Sequence, residues 1–216
     1  HYMMGGIDTN KDGSTNLPGL FAAGECACVS INGANRLGSN SLTEILVYGT
    51  RAGNAAGVFA KEHSEIDIAA LEKLRDEEKS RITDNYLQKD GGSERIANLR
   101  QEMHLVMEEH VGIFRSESGL KKASSKIEEL KDRFSSIIIE DKSKNFNTEL
   151  ISALELENML DIAEAIIFSA LARRESRGSH QRTDFQERND KDFLSHSLAY
   201  LADRESRIEY KEVVIT

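Results

Sequence analysis

The sequence predicts a mainly α fold with minor β, on three observations. Beyond about residue 60, apolar residues recur at three- and four-residue spacing along several long stretches. Ten of the fifteen glycines and the single proline, Pro18, fall before that point, where short apolar runs alternate with turn residues. From Ser197 onward the pattern changes to two-residue alternation. The expected order is a glycine-rich α/β portion over 1–62, a helical domain over 63–178 and a C-terminal segment over 179–216. The helical domain contains a three-helix bundle at about 93–174, and the C-terminal segment a β-ribbon.

In the first portion, Asp8 to Asn16 is a turn-rich loop. Its Asp8-Thr9-Asn10-Lys11-Asp12-Gly13 start is not a calcium loop, because the glutamate required at the twelfth position is Gly19. Gly19 to Ala23 reads as a short buried strand. Ser41 to Glu62 reads as a helix capped by Asn40 or Ser41, with Gly49, Ala52, Gly53, Ala56 and Gly57 on a close-packed face.

Ile66 to Gln88 has a thin apolar stripe among charges, and Asp90-Gly91-Gly92 ends it. Ser93 to His110 places Ile96, Leu99, Met103, Val106 and Met107 on one face. Glu117 to Ile137 does the same with Leu120, Ala123, Ile127, Leu130 and Phe134. A further helix runs from Thr148 through Leu154, Met159, Ile162 and Ile166 to about Arg174. The tail reads as two strands, with Leu198 to Leu201 ahead of Ile208, Tyr210, Val213 and Ile215 and a turn near Asp203 to Ser206.

The net charge of −9 argues against nucleic acid or an anionic membrane surface as the main partner. No apolar run approaches the roughly 20 residues of a membrane span, so membrane association is expected through a partner. Cys26 and Cys28, two apart on an extended segment, are too close for an unstrained disulfide and are expected as buried, reduced thiols. No second cysteine pair completes a metal site, so none is expected. His63, His104, His110 and His196 have no partner at ligand spacing.

The residues that point to chemistry lie between Gly19 and Leu42. Gly19-Leu20-Phe21-Ala22-Ala23-Gly24-Glu25-Cys26 ends a strand on a carboxylate able to meet a ribose hydroxyl. Gly33-Ala34-Asn35-Arg36-Leu37-Gly38-Ser39-Asn40-Ser41-Leu42 follows. It sets one arginine among glycines and asparagines, then opens a helix whose N–H groups suit an electron-rich atom. Arg36 is a planar fork for a carboxylate.

Those residues, with His1-Tyr2-Met3-Met4-Gly5-Gly6-Ile7, resemble the flavoprotein subunit of the succinate dehydrogenase/fumarate reductase family. The resemblance continues through Met103 to Glu109, Gly112 to Arg115, Phe146-Asn147-Thr148, Leu171 to Arg182 and Glu187 to Asp190. Gly38-Ser39 and His180-Gln181-Arg182 read more like the quinol:fumarate reductase branch. The resemblance implies that His1 and Arg36 bind a dicarboxylate substrate, fumarate or succinate. It implies that Glu25, Ser41 and Leu42 bind FAD, Glu25 at the ribose and the other two by backbone at the flavin ring. It also implies electron exchange with an iron–sulfur subunit, held by membrane anchor subunits at the cytoplasmic side of the inner membrane.

The family's Gly-x-Gly-x-x-Gly pyrophosphate turn, proton-shuttling arginine and flavin-attachment histidine do not occur here. The chain is therefore expected to be the C-terminal part of a larger subunit: it carries no catalytic residue and alone holds no FAD. The arginine-rich run Arg173 to Arg182 is expected in interdomain ion pairs. Alternatives are a succinate dehydrogenase or aspartate oxidase relative, or a non-catalytic helical module that contacts a partner.

Overall fold

The computed structural model describes residues 2–201 and 207–215. The chain divides into two units, one of 1–67, 177–180 and 213–216, the other of 68–176 and 181–212.

In the first unit, β1 (Ile7–Asp8) pairs in parallel with β2 (Ala27–Cys28), Ile7 opposite Ala27. The loop between them is an Asx turn, in which Asn10 Oδ1 accepts from the amides of Asp12 and Ser14 at 2.9 and 3.1 Å. The strand expected over Gly19 to Ala23 does not form. Gly19 and Gly24 take φ of 86° and 89° and turn the chain at both ends, leaving one bridge, Ser14 to Phe21. Neither cysteine is fully buried. Cys26 is exposed, Cys28 is half-buried, and neither joins a disulfide.

α1 (Asn40–Glu62) begins one residue early, and neither Asn40 nor Ser41 caps it. The cap position is Ser39, at φ 66° and with no side-chain hydrogen bond. A capping side chain reaches the second or third amide from extended backbone, which the left-handed turn at Ser39 replaces. The expected small-residue face is also not packed: a Cβ added to Gly49, Gly53 or Gly57 meets nothing within 4 Å among the described residues. The close approach is elsewhere on the helix. A Cβ on Gly13 would lie 2.5 Å from that of Ala52.

The second unit opens with α2 (Ile68–Ile82), exposed along its length as far as Ser80. A π-helical turn over Thr83–Leu87 then buries Tyr86, whose hydroxyl donates to Glu157 at 2.9 Å. Burial and that bond push the Tyr86 hydroxyl up to about 12. Gly91 and Gly92, at φ 80° and 149°, end the segment; a Cβ on Gly92 would lie 2.8 Å from the Ser136 carbonyl.

The bundle is α3 (Ile96–Val111), α4 (Glu117–Phe134) and α5 (Thr148–Ala172). Leu99, Met103, Leu120, Ile127, Leu130, Leu156, Leu160 and Ile167 form its core, on the predicted faces of α3 and α4. In α5 the expected stripe is not the buried one: Leu154, Met159 and Ile166 are partly buried and Ile162 is exposed, because the helix is apolar on several faces and Ala153, Leu156, Leu160, Ala163, Ile167 and Ala170 turn inward instead. The caps explain two motifs. Ser116 accepts from the Gly119 amide at 3.2 Å to start α4. Buried Asn147 accepts from the Leu150 amide at 2.8 Å and donates to the carbonyls of Asp141 and Ser143.

Past α3, β3 (Phe114–Arg115) pairs in parallel with β4 (Gln181–Arg182). The short α6 (Asp190–Phe193) leads into β5 (Ser195–Tyr200), antiparallel to β6 (Arg207–Glu212) with Ser195 opposite Glu212. This is the expected ribbon, although 213–215 is not strand. The expected turn near Asp203 to Ser206 lies outside the described residues.

Arg173 and Arg182, two members of the arginine-rich run, make their ion pairs inside the second unit. Arg182, 1% exposed, donates to the last carbonyls of α5, Ala170 at 2.9 Å, Arg173 at 3.3 Å and Leu171 at 3.4 Å. It also clasps Asp184 with Nε and Nη2 at 2.7 and 2.9 Å. Asp184 in turn accepts from the Glu117 amide at 2.8 Å, and Arg115 Nε donates to Val111 and Gly112 at the end of α3. Arginine side chains thus close the C-terminal ends of two bundle helices, where the dipole favours a cation.

Candidate functional site

The candidate residues of the first unit gather around the loop that ends at α1. Arg36 is half-buried, its Cζ 4.5 Å from the centroid of the Tyr2 ring. One terminal nitrogen, Nη1, donates to the Leu37 carbonyl at 3.2 Å. Its Nε is buried without a partner, and Nη2 makes no hydrogen bond among the described residues. The fork therefore keeps donors for a carboxylate.

Beneath the ring lies an acid that the sequence did not single out. Glu44, on the second turn of α1, is 2% exposed. Its Oε2 accepts from the Tyr2 hydroxyl at 2.9 Å and from Asn32 Nδ2 at 2.7 Å. Burial first, and then this bond to Glu44, raise the Tyr2 hydroxyl above its ordinary value. Asn32 Oδ1 is buried and has no partner among the described residues. The signal for Glu44 was faint: one acid in Asn40-Ser41-Leu42-Thr43-Glu44-Ile45, four residues after the helix start.

Glu25 follows Gly24 at φ 89° and is exposed. Its Oε1 accepts the Met3 amide at 2.8 Å, so the carboxylate is oriented by backbone and its other oxygen carries no hydrogen bond among the described residues. The Leu42 amide donates to Ser39 at 3.2 Å, while the Ser41 amide has no such bond. His1 lies outside the described residues.

These residues fit a dinucleotide in two respects. Glu25 offers a free carboxylate oxygen and the start of α1 an amide with no hydrogen bond among the described residues. Among the described residues no group of three or more His, Cys, Asp or Glu could hold a metal ion. No helix there is long and apolar enough to cross a membrane.

The family model for the fumarate reductase flavoprotein C-terminus matches residues 100–216, more than half of the chain. The chain belongs to the fumarate reductase flavoprotein family. The FAD-binding domain model matches residues 1–42, so FAD is the cofactor of the intact subunit. The fumarate reductase flavoprotein subunit of Mycobacterium tuberculosis is 49% identical over the whole chain, which spans 38% of that protein. The subunit from Escherichia coli is 45% identical, the chain spanning 36% of it. The solved E. coli quinol fumarate reductase FrdA superposes with a TM-score of 0.94 at 44% identity, all of this chain covering 37% of that one. The chain thus spans little more than a third of the relatives it matches.

Proposed function

We propose that this chain supplies the carboxylate-binding arginine and part of the flavin site of an FAD-dependent enzyme that interconverts fumarate and succinate. The observation that carries this reading is Arg36. Its guanidinium is held over the Tyr2 ring, tied by one nitrogen and left with further donors that have no partner among the described residues, beside a helix start. Arg36 would bind one substrate carboxylate, with His1 donating at the same end, and so fix the alkene for reaction. Glu25 would accept ribose hydroxyls, and Ser41 and Leu42 would border the flavin ring through backbone. FAD, when bound, supplies the two-electron redox chemistry. Electrons would pass to or from an iron–sulfur subunit, with membrane anchors placing the assembly at the cytoplasmic face of the inner membrane. The proton-transferring group would come from outside this chain.

The test is Arg36→Lys in the intact flavoprotein. Lysine keeps the charge and loses the fork, so transition-state stabilisation should fall by ~2–4 kcal/mol, a ~30- to 1000-fold loss in kcat/KM. A loss under about threefold refutes the assignment.

A further inference from the structure

We infer that the turn Arg177–His180 is a positioning element for Arg36, working through Gly178 and Ser179. The turn belongs to the first unit. The Ser179 amide and hydroxyl both donate to the Ala34 carbonyl, at 3.0 and 2.9 Å. Gly178 sits in the left-handed region at φ 56°, and a Cβ there would lie 2.5 Å from the Ala34 oxygen and 2.8 Å from the Ala34 Cβ. Side chains essentially never come that close, so only glycine allows the turn to sit on this carbonyl. The turn is closed on itself by paired bonds, Arg177 N–H to the His180 carbonyl at 2.8 Å and His180 N–H to the Arg177 carbonyl at 3.0 Å.

Ala34 lies two residues before Arg36. Gly33 takes φ 57°, and a Cβ on either Gly33 or Gly38 would meet nothing within 4 Å among the described residues. Two hydrogen bonds on one carbonyl therefore fix the backbone from which the Arg36 side chain departs. Neither Gly178 nor Ser179 is placed at the substrate; they act through the loop. This inference rests on Arg36 being the carboxylate fork.

The experiment uses the full-length, FAD-loaded flavoprotein and malonate, a saturated dicarboxylate, as probe. Malonate affinity is read from the flavin absorbance change, beside kcat, KM and the melting temperature. Gly178→Ala should weaken malonate and raise KM by about tenfold or more, because a small displacement of a binding group is costly. Ser179→Ala, which keeps the amide bond and loses the hydroxyl, should weaken malonate about threefold, with melting little changed. Arg36→Lys is the control. If it leaves malonate binding intact, the fork reading falls and this inference with it. If Arg36→Lys weakens malonate while both turn variants stay within about 1.5-fold of the parent, the turn does not position Arg36. Lower melting or turnover at unchanged malonate affinity equally rules out a positioning role. Should Gly178→Ala not fold, Ser179→Ala decides alone on that threshold.

Discussion

At the scale of single residues, Arg36, Glu25, Ser41 and Leu42 were singled out because each sits in a contiguous run whose spacing carries the reading. Glu44 was not. Its importance comes from Tyr2 and Asn32 arriving from 42 and 12 positions away, a tertiary event that no local pattern encodes. Ser179 reaches Ala34 across 145 positions, for the same reason. Tyr2→Phe tests the acid beneath the fork. It keeps the ring under Arg36 and removes the tether to Glu44, so in the intact flavoprotein the KM for the dicarboxylate should rise about threefold while kcat holds. An unchanged KM would mean that the ring stays seated without its hydroxyl. Glu44→Leu is expected to be worse. It removes the one oxygen, Oε2, that accepts from both Tyr2 and Asn32, and a buried donor left without an acceptor costs ~1–3 kcal/mol.

At the scale of elements, α3 and α4 were legible because each carries one stripe at helical spacing that has to be buried, whereas α5 is apolar on several faces and its buried side, Leu156, Leu160 and Ile167, was not the one read. Their ends were harder to read. Arg182 stands beyond α5 in sequence, in a run expected in interdomain ion pairs, yet it is buried against the last carbonyls of that helix. Arg182→Met should fill the space but strand Asp184 and those carbonyls, costing about 3 kcal/mol as a drop in urea midpoint. A change under ~0.5 kcal/mol would show that water replaces the guanidinium without loss. A second cluster makes stability depend on acid. Arg133 of α4 pairs with Glu94 and Glu102, the latter also bound by Lys126. The hydrogen bonds from Arg133 and then Lys126 hold Glu102 at about 2, below its ordinary 4.5. A depressed carboxylate contributes stability above pH 4.5 and loses it as pH falls towards about 2. The urea midpoint of the parent should therefore decline over that window. Glu102→Gln should start lower and decline less; parallel curves would exclude Glu102 as the titrating group.

At the scale of the whole molecule, the two units differ in how much they bury. The buried core of Leu99, Leu120, Ile127, Leu130, Leu156, Leu160 and Ile167 lies entirely in the second. In the first, the only buried apolar side chains among the described residues are the small Ala27 and Ala52, and its strands are two residues long. Hydrophobic burial contributes about 25 cal/mol per Å² of apolar surface removed from water, so the two units should open at very different free energies. Hydrogen exchange on the 216-residue chain reads this directly. Amides from Leu154 to Leu171, along a helix with Leu156, Leu160, Ala163, Ile167 and Ala170 buried, should be among the slowest. Those from Tyr2 to Ala34 should be among the fastest, and adding urea should release them well before the bundle. Equal protection in both segments, or the reverse order, would mean that the first unit draws its stability from more than the apolar surface it buries. The hydrogen bonds around Glu44 and Glu25 would then be the place to look.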